Sequence, residues 1–277
     1  MSKKNRRGYE KKIKAKNIEK KKNKRSYIQK LITYVELFFV VLITFMWYNL
    51  GMEDLFKEYK TEVTVNQAEK FEKYCDLIIE YNNKFNITAI TERREIYVKH
   101  FVDSLLGAGM LISGKLFDVG SGGGLPAIPI AIVRDDIDVN MLEATGKKCE
   151  FLNVVIKELG LKNAKVFNGR AEEFAFNKSF REKFDMCTAR AVARLNVLCE
   201  YTLPFVKKGG FLLAYKGDAE EELKEAENAV KTLGGAVKED FKTELDGAKR
   251  ELIKIEKVAY TDDKYPRANG RIRKSPL

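Results

Sequence analysis

The stretch Phe117-Asp118-Val119-Gly120-Ser121-Gly122-Gly123-Gly124-Leu125 carries an apolar run directly into a turn crowded with residues that lack a Cβ. Such a turn suits a nucleotide cradle, because glycine tolerates positive φ and lets backbone amides approach a ligand that a side chain would hold off. Further on, Asp138-Val139-Asn140-Met141-Leu142 reads as the next parallel strand and ends at Glu143. About twenty residues after the glycines is the usual place for a carboxylate that binds ribose hydroxyls. Two spacings overlap in the turn. Gly120, Gly122 and Gly124 give G-x-G-x-G, typical of S-adenosylmethionine-dependent methyltransferases, whereas Gly122, Gly124 and Ala127 give the G-x-G-x-x-A of a dinucleotide fold. A methyltransferase and an NAD-dependent oxidoreductase both remain open at this point.

The elements that must position these residues follow from periodicity. Apolar runs near 115–119, 138–142, 164–168, 184–188 and 210–216, with helical patterns between them, predict a doubly wound, mostly parallel sheet. Two late runs, Ala236–Phe241 and Lys249–Val258, predict an antiparallel hairpin closing it. That hairpin is typical of the methyltransferase sheet, and too few residues follow for the separate substrate domain a dinucleotide enzyme would carry. Upstream, Ala68, Phe71, Tyr74, Cys75, Ile78 and Tyr81 recur at helical spacing over 66–85, and Ile96, Tyr97, Phe101 and Leu105 do so over 94–106. The resulting division is a leader over 1–51, a helical preface over 52–113 and an α/β domain with a basic tail over 114–277.

The 277-residue chain has a formal net charge of +11, which invites a polyanion partner. Residues 1–51 hold 14 of its 51 Lys and Arg and three of its 40 Asp and Glu, which leaves 37 of each in the rest. The body is neutral, so any polyanion must meet local patches there and not an overall field. The four cysteines (Cys75, Cys149, Cys187, Cys199) form no C-x-x-C pair, and His100 is the single histidine. No zinc site is expected, and the thiols read as small core residues in a reducing compartment.

The leader changes character along its length. Lysine-rich to Lys30, it turns almost purely apolar from Leu37 to Tyr48. A membrane anchor of that polarity would leave the body outside the cell, away from its cofactor. The basic region is also too long for a signal peptide, and no small-residue cleavage site follows. The expectation is that the working protein begins at Met52, is cytoplasmic, and that residues 1–51 are a mis-assigned upstream extension. A membrane-tethered interaction protein on a degenerate Rossmann-like fold is the alternative.

Taken together, four blocks resemble the glucose-inhibited division protein B family, the bacterial small-subunit rRNA guanine-N7 methyltransferases. They are Tyr81 to Thr91 with Lys99 to Ser104, the glycine loop Asp118 to Pro129, Thr188-Ala189-Arg190-Ala191-Val192-Ala193, and the tail from Tyr265-Pro266-Arg267 through Lys274-Ser275-Pro276-Leu277. The resemblance covers Met52 to Leu277 and leaves residues 1–51 without a counterpart. It implies a class I S-adenosylmethionine-dependent methyltransferase fold, S-adenosylmethionine as cofactor, and a guanine in the 530 loop of 16S ribosomal RNA, free or in the small ribosomal subunit, as substrate. Gly120 and Leu125 match the family's cofactor loop, Ala171 and Glu172 its adenine side, and Arg190 its cofactor-binding arginine. Leu125 stands where members often have an aromatic residue, and Ala127 where glycine is usual.

Methylation at guanine N7 needs no general base, since N7 carries an in-plane lone pair and no proton; placement carries the reaction. A nearby carboxylate would help accommodate the positive charge formed on the base, and Asp103 and Asp185 are the candidates. His100 reads as a structural hydrogen-bonding residue. RNA contacts are expected from Arg194 and, in the tail, Arg267, Arg271, Arg273 and Lys274.

Overall fold

The helix expected over 66–85 starts at Val65 because Thr64 caps it. The Thr64 hydroxyl accepts from the Gln67 amide at 3.3 Å, and the Gln67 side chain accepts from the Thr64 amide at 2.8 Å, a reciprocal capping box. This helix, α1 (Val65–Asn82), buries Phe71, Tyr74, Cys75 and Ile78. The second expected helix is less regular. It begins as α2 (Arg93–Ile96), widens into a π turn over Tyr97–Val102 and closes as α3 (Asp103–Leu105). Such widening re-aims side chains and recurs at functional sites. Here Tyr97, Val98, His100, Phe101 and Val102 are all buried, and Asp103 follows directly.

A computed structural model describes residues 55–277, which form one compact unit. The basic leader and the apolar 37–48 stretch lie outside the described residues. Among the described residues no helix is long and apolar enough to cross a membrane.

Seven strands form one sheet: β1 (Gly114–Val119), β2 (Ile137–Glu143), β3 (Ala164–Asn168), β4 (Phe184–Arg190), β5 (Val206–Lys216), β6 (Gly235–Leu245) and β7 (Ala248–Lys257). Their order is β3-β2-β1-β4-β5-β7-β6, parallel except that β7 runs against both β5 and β6. Between them lie α4 (Ala127–Val133), α5 (Gly146–Leu159), α6 (Ala171–Phe174), α7 (Leu195–Thr202) and α8 (Glu220–Thr232), and α9 (Asn269–Lys274) ends the chain. The chain doubles back between β1 and β4, the switch point where open α/β sheets bind ligands at their carboxyl edge.

β5 begins four residues before the expected 210, since Lys207-Lys208-Gly209-Gly210 carries no apolar signal; a register shift against β4 between Phe184 and Met186 accommodates it. β6 likewise runs past Phe241 to Leu245, paired along its charged length with β7. Asp246 and Gly247, at φ of 51° and 74°, join β6 to β7 through the two-residue turn that matches strand twist. Beneath the sheet, the Phe117 ring lies 4.4 Å from Phe184 and 4.5 Å from Phe205, with Leu212 and Ile253 in the same cluster. All four cysteines are free and buried, as expected of core thiols.

Candidate active site

Each glycine of the turn answers a different requirement. Gly120, Gly122 and Gly124 all have positive φ (72°, 58° and 94°), a backbone region that L side chains rarely enter. A Cβ on Gly120 would lie 2.8 Å from Val192, and one on Gly124 within 2.6–2.8 Å of Ile128, Leu152 and Tyr74. One on Gly122 would meet nothing nearer than a backbone oxygen at 3.9 Å. Packing therefore leaves no room for a Cβ at Gly120 or Gly124, nor at Gly123, where one would lie 2.8 Å from Ile87, while at Gly122 the space in front of the backbone is open. The Tyr74 hydroxyl fixes the turn from below by donating to the Gly123 carbonyl.

Glu143, at the carboxyl end of β2, is where the sequence places it and is 7 % exposed. One of its oxygens accepts from the Gly122 amide at 2.9 Å and the other from the Thr145 amide at 2.8 Å. It braces the turn, and each oxygen keeps a further lone pair for a ligand hydroxyl. Asp118, which no spacing singled out, lies beneath the same turn. Its Oδ1 accepts from Thr188 at 2.7 Å, while its fully buried Oδ2 has no hydrogen-bond partner. Burial pushes the carboxyl up to about 6, against the lowering effect of Ser121, Thr188 and Arg190. A buried acceptor without a donor is costly, which makes this a fitting place for a ligand cation or donor.

Arg190 ends β4, next to the turn in space. Its Nη1 donates to Asp103 Oδ2 at 2.6 Å, and the other Asp103 oxygen is taken by Arg250 from β7. Asp103 thus ties the helical preface to both halves of the sheet, and with two guanidinium groups upon it the carboxylate serves as an anchor for cations. His100 is 8 % exposed; its Nε2 lies 2.8 Å from the Thr88 hydroxyl. Burial first, then Arg190, lowers its pKa to about 4, so the ring is neutral near pH 7. Arg190, Asp103, His100, Arg250, Arg194 and Lys216 line a cavity of about 580 Å³, of a size for a small ligand or an extruded nucleotide.

A smaller cavity, about 90 Å³, opens on the other side of Val192. It is bounded by Gly120, Leu142, Ala171 and Glu172, together with Arg273 from the tail. The fold therefore brings the expected loop and adenine-side residues together. Leu125 is buried at 8 % exposure and packs behind the turn.

Other expected residues are placed elsewhere. Asp185 lies at the start of β4, at the opposite edge of a parallel strand from Arg190, and binds the Lys115 amide at 2.7 Å and the Lys207 ammonium. Burial would raise its pKa, but these partners outweigh burial and hold it low. It is a structural carboxylate and cannot reach the glycine turn. Arg267, expected on phosphate, instead clamps the tail to α7. Its amide and guanidinium hydrogen-bond the fully buried Glu200 at 2.7–3.2 Å. Ile272 of α9 is buried in the core, which leaves Arg271 and Lys274 exposed on either side of it. Arg194 caps α7 at the cavity rim and pairs with Glu225 at 2.6 Å, both about half exposed.

The profile of the family described as rRNA small subunit methyltransferase G (GidB) matches residues 67–253. The chain belongs to this family. It is 43% identical over 222 residues to the ribosomal RNA small subunit methyltransferase G of Streptococcus gordonii, covering 78% of this chain and 94% of that one. The protein of the same name from Desulforamulus reducens is 44% identical over 237 residues, 83% of this chain and 98% of that one. Among solved structures, the branched-chain polyamine synthase C9 mutein of Thermus thermophilus superposes with a TM-score of 0.50 at 12% identity, over 69% of this chain and 65% of that one, a likeness of fold alone.

Within the family match lie the glycine turn, Glu143, Ala171, Glu172 and Arg190, whereas the tail with Arg267, Arg271, Arg273 and Lys274 follows its end. Ala127, the other departure from the family pattern, opens α4 fully buried, so its methyl group faces the core and not the cradle. The residues that sequence reasoning missed are Asp118 and Arg250. Asp118 directly precedes the glycine turn in the sequence, but only burial reveals its unmet oxygen. Arg250 reaches the site through the β5–β7 pairing, which no spacing along the chain foretells.

Proposed function

We propose that this protein transfers a methyl group from S-adenosylmethionine to N7 of a guanine in the 530 loop of 16S ribosomal RNA. Family membership supports the rRNA methyltransferase reading. The observation that carries the cofactor assignment is the cradle itself, in which the space before Gly122 is open, Glu143 braces the turn and Asp118 holds a buried acceptor unmet. These residues fit the cofactor: Glu143 for the ribose hydroxyls, Ala171 and Glu172 for the adenine, Asp118 and Arg190 for the charged amino-acid end. The bound cofactor supplies an electrophilic methyl on sulfonium.

The chain's own work is placement. Asp103 fixes Arg190 and Arg250 at the wall of the larger cavity, so their donors are oriented before substrate arrives. A guanine seated there offers its N7 lone pair directly, and no side chain has to remove a proton. That suits a cavity whose histidine is neutral and buried and whose carboxylate is engaged by two arginines. Arg194, at the rim, is the arginine of this group best exposed to meet RNA phosphate. The enzyme acts in the cytoplasm, where 16S RNA and the small subunit are made.

The test is to map modified guanines in 16S RNA from cells lacking the protein, using the strand scission that N7-methylguanine permits after reduction and aniline treatment. Loss of one stop in the 530 loop, restored by the intact gene and not by a Gly122→Asp copy, is expected. An unchanged pattern would refute the assignment.

A further inference from the structure

At the opposite edge of the sheet from the glycine turn, three segments distant in sequence converge. The loop before β4 brings Lys178 and Lys183, the start of β5 brings Lys207 and Lys208, and the segment after β7 brings Tyr260; together they line an open cavity of about 540 Å³. In a body whose charges balance, this is a local concentration of cations. Among the described residues Lys178, Lys183 and Lys208 are exposed and make no ion pair, whereas Lys207 pairs with Asp185. The acids nearby do little to neutralise them. Glu182 is turned inward onto buried Lys257 at 3.0 Å, and Asp263, fully exposed, faces Arg181 at 3.6 Å. Arg181 is itself spent on the carbonyls of Thr261 and Tyr265, so it builds the floor beneath the exposed lysines.

Tyr260 is 71% exposed, the most exposed large hydrophobic side chain among the described residues, and Lys208 sits 5.9 Å from its ring centre. Its outward projection is fixed by the fold. Ala259 donates to the Gly234 carbonyl at 3.0 Å, and the Thr261 amide to Glu182 at 2.9 Å, so the backbone is pinned on both sides of the ring. A rigid exposed aromatic among unpaired lysines combines the two elements of single-stranded nucleic acid binding, a stacking platform and cations for the backbone.

We propose that this face is a second RNA-binding site, which takes an unpaired stretch of the ribosomal RNA outside the methylated loop, with a base on Tyr260 and phosphates on Lys178, Lys183 and Lys208. The inference rests on the rRNA reading above. β4 spans seven residues between the two edges, about 20 Å, so a contact here engages RNA remote from the target base. Its role is to favour a large structured substrate over an isolated loop.

The experiment measures binding of wild type, the Lys178→Ala/Lys183→Ala/Lys208→Ala triple variant and Tyr260→Ala to naked 16S RNA and to whole small subunits over a salt series. Methyl transfer is assayed separately, so failure of the methylation reading shows as absent transfer by wild type and is distinct from failure of this site. The triple variant should lose about tenfold in affinity for 16S RNA at low salt, with a shallower salt slope by about two ions. Tyr260→Ala should lose roughly tenfold with the slope unchanged, because stacking releases no counterion. Melting temperature and S-adenosylmethionine affinity should stay at wild-type values, all four side chains being exposed. Wild-type affinity and slope in both variants would overturn the site. Unchanged binding to naked RNA with weakened binding to whole subunits would assign the face to a ribosomal protein and equally overturn it, as would a silent Tyr260→Ala beside a triple variant that loses heparin and RNA alike.

Discussion

The carboxyl edge of the parallel strands and their amino edge use the same few charged residue types, yet the two behave differently because one is buried and the other is not. At the carboxyl edge Asp103, Glu143 and Glu200 are each less than a tenth exposed, and every one is held by arginine or by backbone amides. In that low-dielectric setting charges interact strongly and in fixed geometry, which suits a site that must place reacting atoms. At the amino edge Lys178, Lys183 and Lys208 stand in water. Their pull is screened over about a Debye length and depends on salt, which suits capture of a polyanion and not positioning. Burial, more than residue type, separates the two kinds of work.

The comparison breaks most sharply at Gly122. Gly122→Asp puts a carboxylate where the cofactor must approach and beside Glu143, and methyl transfer should fall below detection; the φ of 58° strains any side chain, but Asp is among the residues that tolerate the left-handed region and its Cβ meets no atom closer than 3.9 Å, so the protein should still fold at some cost in stability. Near-normal cofactor affinity in the folded variant, measured by calorimetry, would show that the open backbone of the turn is not the cradle.

Next in size is the tail. Arg267→Ala strands Glu200 without its cation in the core and should cost about 3–5 kcal/mol of stability in a denaturant titration. Arg271→Ala, four residues on but exposed, should stay within about 0.5 kcal/mol. Equal effects would mean that the buried pair carries no more weight than a solvated arginine, against the contrast drawn between the two edges.

Asp103→Asn removes the charge that holds Arg190 and Arg250 together. We expect kcat/KM to fall about 10- to 100-fold with a smaller change in cofactor affinity, because both arginines remain but lose their common anchor. A loss confined to cofactor affinity would place Arg190 alone at the centre of the effect.

Smallest near neutral pH, and growing only in acid, is the effect of titration. His100 has a folded pKa lowered to about 4 by burial and Arg190, below the usual 6.5 of the unfolded chain. The folded state therefore binds fewer protons, and the contribution of the neutral ring, fully present above pH 6.5, is lost as pH falls toward 4, by about 1.4 kcal/mol per unit. Asp118 works the other way: raised to about 6, its burial costs stability as pH rises from about 4 to 6. The difference between wild type and His100→Gln isolates the histidine, and the variant should show a flatter acid limb in unfolding experiments. Parallel limbs would mean that the ring is already solvated.

The sequence by itself determined the strand positions of the parallel core, the glycine turn, the acid at Glu143 and the late hairpin, because each is a local pattern: a short apolar run, a residue without a Cβ, a strand end at fixed spacing. It also determined the neutrality of the body, from which a local and not a global polyanion site follows. Only the tertiary structure decided the rest. Asp103 and Asp185 are both acids in plausible context, but the direction of β4 sends Asp185 to the far edge while the π turn and β7 bring Asp103 between two arginines. Arg267 and Arg273 share a short basic tail, yet one is buried on Glu200 and the other borders the small cavity. Lys178, Lys208 and Tyr260 gave no motif at all. Contacts of this kind join residues tens of positions apart, and the partner that decides the fate of a charge is fixed by strand order and burial, neither of which any window of sequence contains.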